Sequence, residues 1–214
     1  MKINDTTYKI LKNSILLCSF SMFSIAIIVF INDLTQIKIV HQKEKEKQLL
    51  LEQVIPSYVL RNFKKRLYFI QNQFLGDDHK HHLWVLLDSN QKAQAAIIET
   101  TAPDGYCGVI KMLVAAYFNG KIIGVRVLSH QETPGIGDKI EISISNWITK
   151  FSNMYVSSLK DKNFVLKKYG GSIEQFTGAT ITPQAVTNSV KRTVVLIKKI
   201  PFLLKYLQKR SHEN

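Results

Sequence analysis

The sequence predicts an α+β fold: an antiparallel sheet with flanking helices, preceded by one N-terminal transmembrane helix. Three observations carry that reading. An uncharged apolar run lies near the N-terminus, short β-rich segments separated by turn residues fill the middle, and an amphipathic helical pattern closes the chain. At 214 residues there is room for one domain of ordinary size plus an appendage.

The apolar run is Ser14 to Ile31, eighteen residues without a charge. As a helix it measures about 27 Å, close to a bilayer core of about 30 Å. A cleaved signal peptide normally has a shorter apolar core and a small-x-small cleavage site, and Ile31-Asn32-Asp33-Leu34 offers none. A buried core helix would normally show a polar side, and this run shows none. We therefore read residues 14–32 as an uncleaved anchor. Lys2, Lys9 and Lys12 precede it against the single acid Asp5, and Asp33 follows at once. The positive-inside bias leaves residues 1–13 in the cytoplasm and sends the remainder across the membrane.

The formal charge of +13 raises nucleic acid, an anionic membrane or acidic partners. A body outside the cytoplasm excludes nucleic acid and leaves lipid head groups, acidic protein partners or plain solvated lysines. Cys18 sits in the apolar run and Cys107 far away, so no structural disulfide is expected.

After the anchor, residues 33–75 read as a helical stalk. The charged run His41 to Lys47 leads into Leu49, Leu50, Val54 and Ile55; Pro56 interrupts. Val59, Leu60, Phe63 and Leu67 then continue a helical spacing from Ser57 to Ile70. Asp77-Asp78-His79-Lys80-His81-His82 holds metal-ligating residue types, but nothing fixes their spacing, and a solvated turn is the expectation. Leu83–Leu87 and Ala93–Ile98 read as short strands around Asp88-Ser89-Asn90. Cys107–Phe118 and Lys121–Leu128 flank Asn119-Gly120, the strongest short hairpin signal. Ile140–Phe151 reads as a helix. In the last helix Thr182 can cap, Pro183 suits the first position, and Val186, Val190, Val194 and Ile197 form one apolar stripe. Residues 201–214 are a basic tail.

The candidate site lies at the start of that last helix. Thr177-Gly178-Ala179-Thr180 crowds hydroxyls around small residues, with no histidine or cysteine nearby in sequence to activate them. Unpaired amides and the positive end of the helix dipole favour a phosphate there. Gly178 and Ala179 permit close approach of another molecule. A second stretch, His130-Gln131-Glu132-Thr133-Pro134-Gly135-Ile136-Gly137-Asp138-Lys139, follows the hairpin. Its proline and glycines set an unusual backbone path suited to a flat ligand. Taken alone, each stretch is also compatible with an ordinary surface loop.

Together the two stretches resemble the FMN-binding domain shared by the G subunit of Rnf/Rsx electron-transport complexes and the C subunit of the sodium-pumping NADH–quinone reductase. Thr177-Gly178-Ala179-Thr180 matches that family's [Ser/Thr]-Gly-Ala-Thr flavinylation motif. His130 with Glu132 to Gly137 matches its His-x-Glu-Thr-Pro-Gly-[Leu/Ile]-Gly loop, and Ala102-Pro103-Asp104-Gly105-Tyr106 looks like the pattern of the Rnf/Rsx branch. Glu174 stands where the motif often has aspartate.

The resemblance implies an FMN-binding domain over residues 76–200, with FMN joined to Thr180 by a phosphoester. It implies that a separate flavin transferase using FAD makes that bond, which explains the missing base. Thr177, Gly178, Ala179, Glu132, Thr133 and Gly135 are expected near the cofactor, with Tyr106 a weaker candidate. The implied role is an electron-relay subunit among other membrane subunits of an ion-translocating complex, single-pass in the inner membrane with its main domain periplasmic. The C subunit of the quinone reductase and a flavin-free anchored scaffold are the alternatives.

Overall fold

Alternating apolar residues and tight turns build a five-stranded antiparallel meander. The structure, a computed structural model, describes residues 5–55 and 63–211. It divides into two compact units, 1–48 and 49–214. Helix α1 (Asp5–Val54) begins in the first, and its segment Thr7–Gln36 is long and apolar enough to cross a membrane. Ile15, Leu16, Leu17, Phe20 and Phe23 along it are all exposed, as lipid-facing side chains would be.

In the second unit the strands are β1 (Lys64–Ile70), β2 (His81–Leu87), β3 (Ala93–Ala102), β4 (Ile110–Tyr117) and β5 (Ile122–Ser129), paired in sequence order. Leu83 and Val85 of β2, Ile98 of β3, Met112 and Val114 of β4 and Val125 of β5 share one face. The final helix, here α2 (Ile181–Ser211), covers that face with Val186, Val190, Val194 and Ile197, all fully buried. The predicted stripe is thus the core. Hydroxyls fix α2 along its axis: Thr193 Oγ1 donates to Thr100 Oγ1 at 2.9 Å and Ser189 Oγ to the Thr101 carbonyl at 3.3 Å. On the opposite face Leu51, Val54 and Ile55 pack with Leu86, Ile97, Leu113 and Ile123. The central strands β3 and β4 are therefore buried on both sides.

The Asn119-Gly120 turn forms as expected. Tyr117 N–H donates to the Lys121 carbonyl at 2.9 Å, and Gly120 alone in the turn takes a positive φ, 94°. The hairpin is accordingly a three-residue loop with glycine in the left-handed position.

Three expectations are corrected. Residues 64–70 are strand, not helix: Tyr68 and Ile70 point into the core while Leu67 and Phe69 are exposed, a period-2 pattern that pairing with β2 selects over the coincident helical spacing. Pro56, Val59 and Leu60 lie outside the described residues, as do Lys2 and Glu213. Ile140–Phe151 is not one helix but two 3-10 turns, Asp138–Ile140 and Asn146–Phe151. Ser145 breaks the run by accepting the Trp147 amide at 3.0 Å, as serine does when it competes for backbone groups. The last helix starts at Ile181, two residues early, because the Thr180 carbonyl already accepts from Gln184 N–H at 3.2 Å. Thr180, not Thr182, is the residue before the first turn, and Pro183 is the third helical residue.

His81 and His82 are neighbours on β2 and so face opposite sides of the sheet. His81 pairs with Asp77 at 2.7 Å and His82 with Glu99 at 2.8 Å. No group of three metal-ligating side chains forms among the described residues.

Candidate functional site

Two sequence stretches some 45 residues apart meet at one cavity of about 200 Å³, beside the first turn of α2. One wall is the turn Phe176–Ala179. Ala179 N–H donates to the Phe176 carbonyl at 3.2 Å, and Gly178 has φ 82°. A type II turn demands positive φ at its third position, so glycine is required there by the backbone itself. The turn is held from behind. Trp147 Nε1–H donates to the Glu174 carbonyl at 2.6 Å, and the Trp147 and Phe176 rings meet edge-on at 5.0 Å. The Glu174 carboxylate bridges Lys150 and Lys167, the latter at 2.8 Å. Donation first from Lys150, then from Lys167, pulls its pKa down to about 2.

The other wall is the loop from His130 to Gly137. Its path is fixed by Ile136 and Gly137 amides donating to the Thr133 carbonyl at 3.2 and 3.0 Å, and by Gly135 N–H donating to Asp138 Oδ2 at 2.8 Å. His130 Nδ1 accepts the Glu132 amide at 3.0 Å. That leaves His130 Nε2 as the protonated nitrogen, which donates to Glu141 at 2.8 Å. The Glu132 side chain is buried. Oε1 accepts the Cys107 amide at 3.0 Å, and Oε2 accepts the Thr182 hydroxyl.

Most of the predicted site residues converge. Thr180, Gly178, Ala179, Glu132 and Thr133 all line the cavity, and so does Tyr106. Thr177 and Gly135 do not line it; both are exposed beside it. Sequence reasoning missed the lining role of Ile136 and Ile181, exposed apolar residues with nothing in their spacing to mark them, and of Thr182, assigned as a cap.

The cavity suits a phosphorylated planar ligand in a specific way. Thr180 is half-buried, and its hydroxyl has no partner among the described residues. Pro183 carries no N–H, so the first turn of α2 offers the Ile181 and Thr182 amides, both without partners among the described residues. Tyr106, Ile136 and Ile181 supply apolar surface around the mouth, and among the described residues no lysine or arginine lines the cavity. Two amides and a helix dipole can hold a phosphoryl group in place, while a dissociable dianion would lack a cation.

Comparison with known proteins shows the family of the chain. Residues 105–195 match the FMN-binding domain family, and residues 1–54 match the RnfG N-terminal region. The G subunit of the ion-translocating oxidoreductase complex of Buchnera aphidicola from Schizaphis graminum is 60% identical over 191 residues, covering 89% of this chain and 94% of that protein. Its equivalents in Pectobacterium atrosepticum and Escherichia coli O157:H7, named in the same way, are 43% and 40% identical, covering 86% and 92% of this chain and 88% and 95% of their own. The crystal structure of Shewanella oneidensis NqrC aligns at TM-score 0.44 and 21% identity, over 58% of this chain and 61% of that one.

Proposed function

Because the chain belongs to the RnfG family, the G subunits of ion-translocating oxidoreductase complexes, with an FMN-binding domain as its body, we propose that Thr180 is where the FMN is covalently attached. The chain is a flavoprotein subunit that transfers electrons within such a complex. FMN supplies the redox chemistry when bound; the protein supplies attachment, orientation and electrostatics.

One observation carries the Thr180 reading. Its hydroxyl is unpartnered at a cavity formed where the two motifs meet, beside two unpaired helix amides. A phosphoester on that oxygen places its remaining oxygens at the positive end of α2, where negative charge is stabilised by about 0.3–1 kcal/mol. Among the described residues that line the cavity with Thr180, none is a free base: Glu132 is engaged by Cys107 and Thr182. As the family resemblance implies, a separate flavin transferase using FAD makes the bond, and the tether retains a cofactor that no cation among the described lining residues would hold. Gly178 and Ala179 leave the approach open, since a Cβ at Gly178 would meet nothing within 4 Å.

The helix Thr7–Gln36 anchors the chain in a bilayer, and the lysines ahead of its uncharged run Ser14–Ile31 set the body on the periplasmic side of the inner membrane. Partners are then the complex's other membrane subunits. The sodium-pumping reductase alternative is set aside, because the RnfG likeness spans both the N-terminal region and the body. The test is mass spectrometry of the peptide containing Thr180, from chain made with a flavin transferase. FMN mass on Thr180 is expected; a bare Thr180 beside a yellow chain overturns the assignment. Periplasmic placement is tested by labelling an introduced cysteine beyond Asn32 from outside the inner membrane.

A further inference from the structure

The Glu132 carboxylate joins three segments that the sequence separates. It is 4% exposed, yet has no ion-pair partner among the described residues. Oε1 receives the amide of Cys107, ahead of β4; Oε2 receives the hydroxyl of Thr182, 50 residues further on, in the first turn of α2. The neighbours are shaped around it. A Cβ on Gly137 would stand 2.9 Å from Oε2 and 3.2 Å from the Thr182 hydroxyl, and one on Gly105 would stand 2.9 Å from Oε1. Thr182 is 1% exposed and two residues beyond Thr180, on the same rigid turn. Pinning Thr182 fixes the backbone turn from which Thr180 projects.

We propose that Glu132 is a positioning residue for Thr180, acting through the Thr182 hydroxyl, and that this tie presents the Thr180 oxygen to the flavin transferase. The inference rests on the attachment reading above. In the step concerned, Thr180 Oγ bonds to the FMN phosphorus of FAD, the pyrophosphate P–O bond breaks and AMP leaves. The hydroxyl proton passes to the transferase, and no electrons change hands. Such an attack is sensitive to direction: misplacement by about 1 Å costs on the order of 100-fold. The tie therefore governs the chemical step and not the docking of the two proteins.

The experiment measures flavin incorporation into the full-length chain in detergent, with a flavin transferase and FAD, as kcat and KM for the chain. Thr182→Val removes the hydroxyl at nearly constant volume. It is expected to lower kcat by about tenfold or more with KM unchanged, and Thr182→Ser to restore kcat to within about threefold. Glu132→Asp keeps the charge but is one methylene too short to reach both donors. It should lose kcat likewise, and it keeps the proposal testable if Thr182→Val does not fold. Wild-type kcat in either tie-breaking variant overturns the proposal, as does a change confined to KM or a serine variant no better than valine. Flavin retained by Thr180→Val would instead sink the attachment reading itself.

Discussion

The two walls of the cavity are built on opposite plans. The Phe176–Ala179 turn exposes Thr177 and Gly178 and is held from behind by Trp147 and by solvent-facing ion pairs. The His130–Gly137 loop is folded around a buried carboxylate that ties it inward to Cys107 and Thr182. On the proposed reading the first wall leads into Thr180, whose oxygen takes the flavin, and the second holds the helix turn from which Thr180 projects. The difference separates chemistry from scaffold: substitutions in the turn should cost function with little loss of stability, and those in the loop should cost both.

Thr180→Val is the sharpest test of that division. The Thr180 hydroxyl makes no bond that the fold uses, so covalent flavin should disappear completely while the unfolding free energy stays within about 0.5 kcal/mol of wild type. In-gel flavin fluorescence and a denaturation curve read both. A loss of several kcal/mol would break the contrast, because the turn would then be scaffold as well.

The glycines give the matched pair. Gly137→Ala forces a methyl against the Glu132 carboxylate and the Thr182 hydroxyl, contacts of 2.9–3.2 Å in a packed setting. Overpacking of that kind costs about 1–3 kcal/mol. Gly178→Ala meets nothing within 4 Å, and its cost is the backbone's alone, about 1 kcal/mol for φ 82°. Urea denaturation of the two variants should rank them in that order. Equal losses would mean that the loop yields as easily as the turn.

The sequence carried most of the site and less of its support. Thr180, Gly178, Ala179, Glu132 and Thr133 were legible as neighbours because their two stretches stand out in the sequence, and the fold brings them to one cavity. The stripe Val186, Val190, Val194 and Ile197 was legible because a long helix with one buried face declares its period. Strand β1 was missed. Leu67 and Phe69 are exposed apolar residues on an edge strand, and they blur the alternation that would have marked it. Thr182 was misplaced for a deeper reason. A threonine before a proline reads locally as a cap, and its real partner, Glu132, is 50 residues away, beyond the reach of local pattern. Tertiary partners of this kind also explain the broken helix at Ile140–Phe151, where Trp147 and Phe151 are buried in the core and Trp147 holds the turn that bears Thr180.

The smallest effect belongs to the outer fastening of the exposed wall. Glu174 lies between Lys150 and Lys167, and their donation lowers its pKa from 4.5 to about 2. A folded-state pKa below the unfolded one means the interaction stabilises at neutral pH and fades as pH falls from about 4.5 toward 2. All three side chains are about half exposed, so solvent screens the attraction and the contribution is minor. Glu174→Gln should therefore be slightly less stable than wild type at pH 7 and low salt, with the gap narrowing both in concentrated salt and through that acid window. Flavin attachment at Thr180 should persist in the variant, because Trp147 grips the Glu174 carbonyl, which the substitution leaves in place. A stability gap unmoved by salt and acid would show that this fastening acts as the buried Glu132 does, and the contrast between the two walls would fail there first.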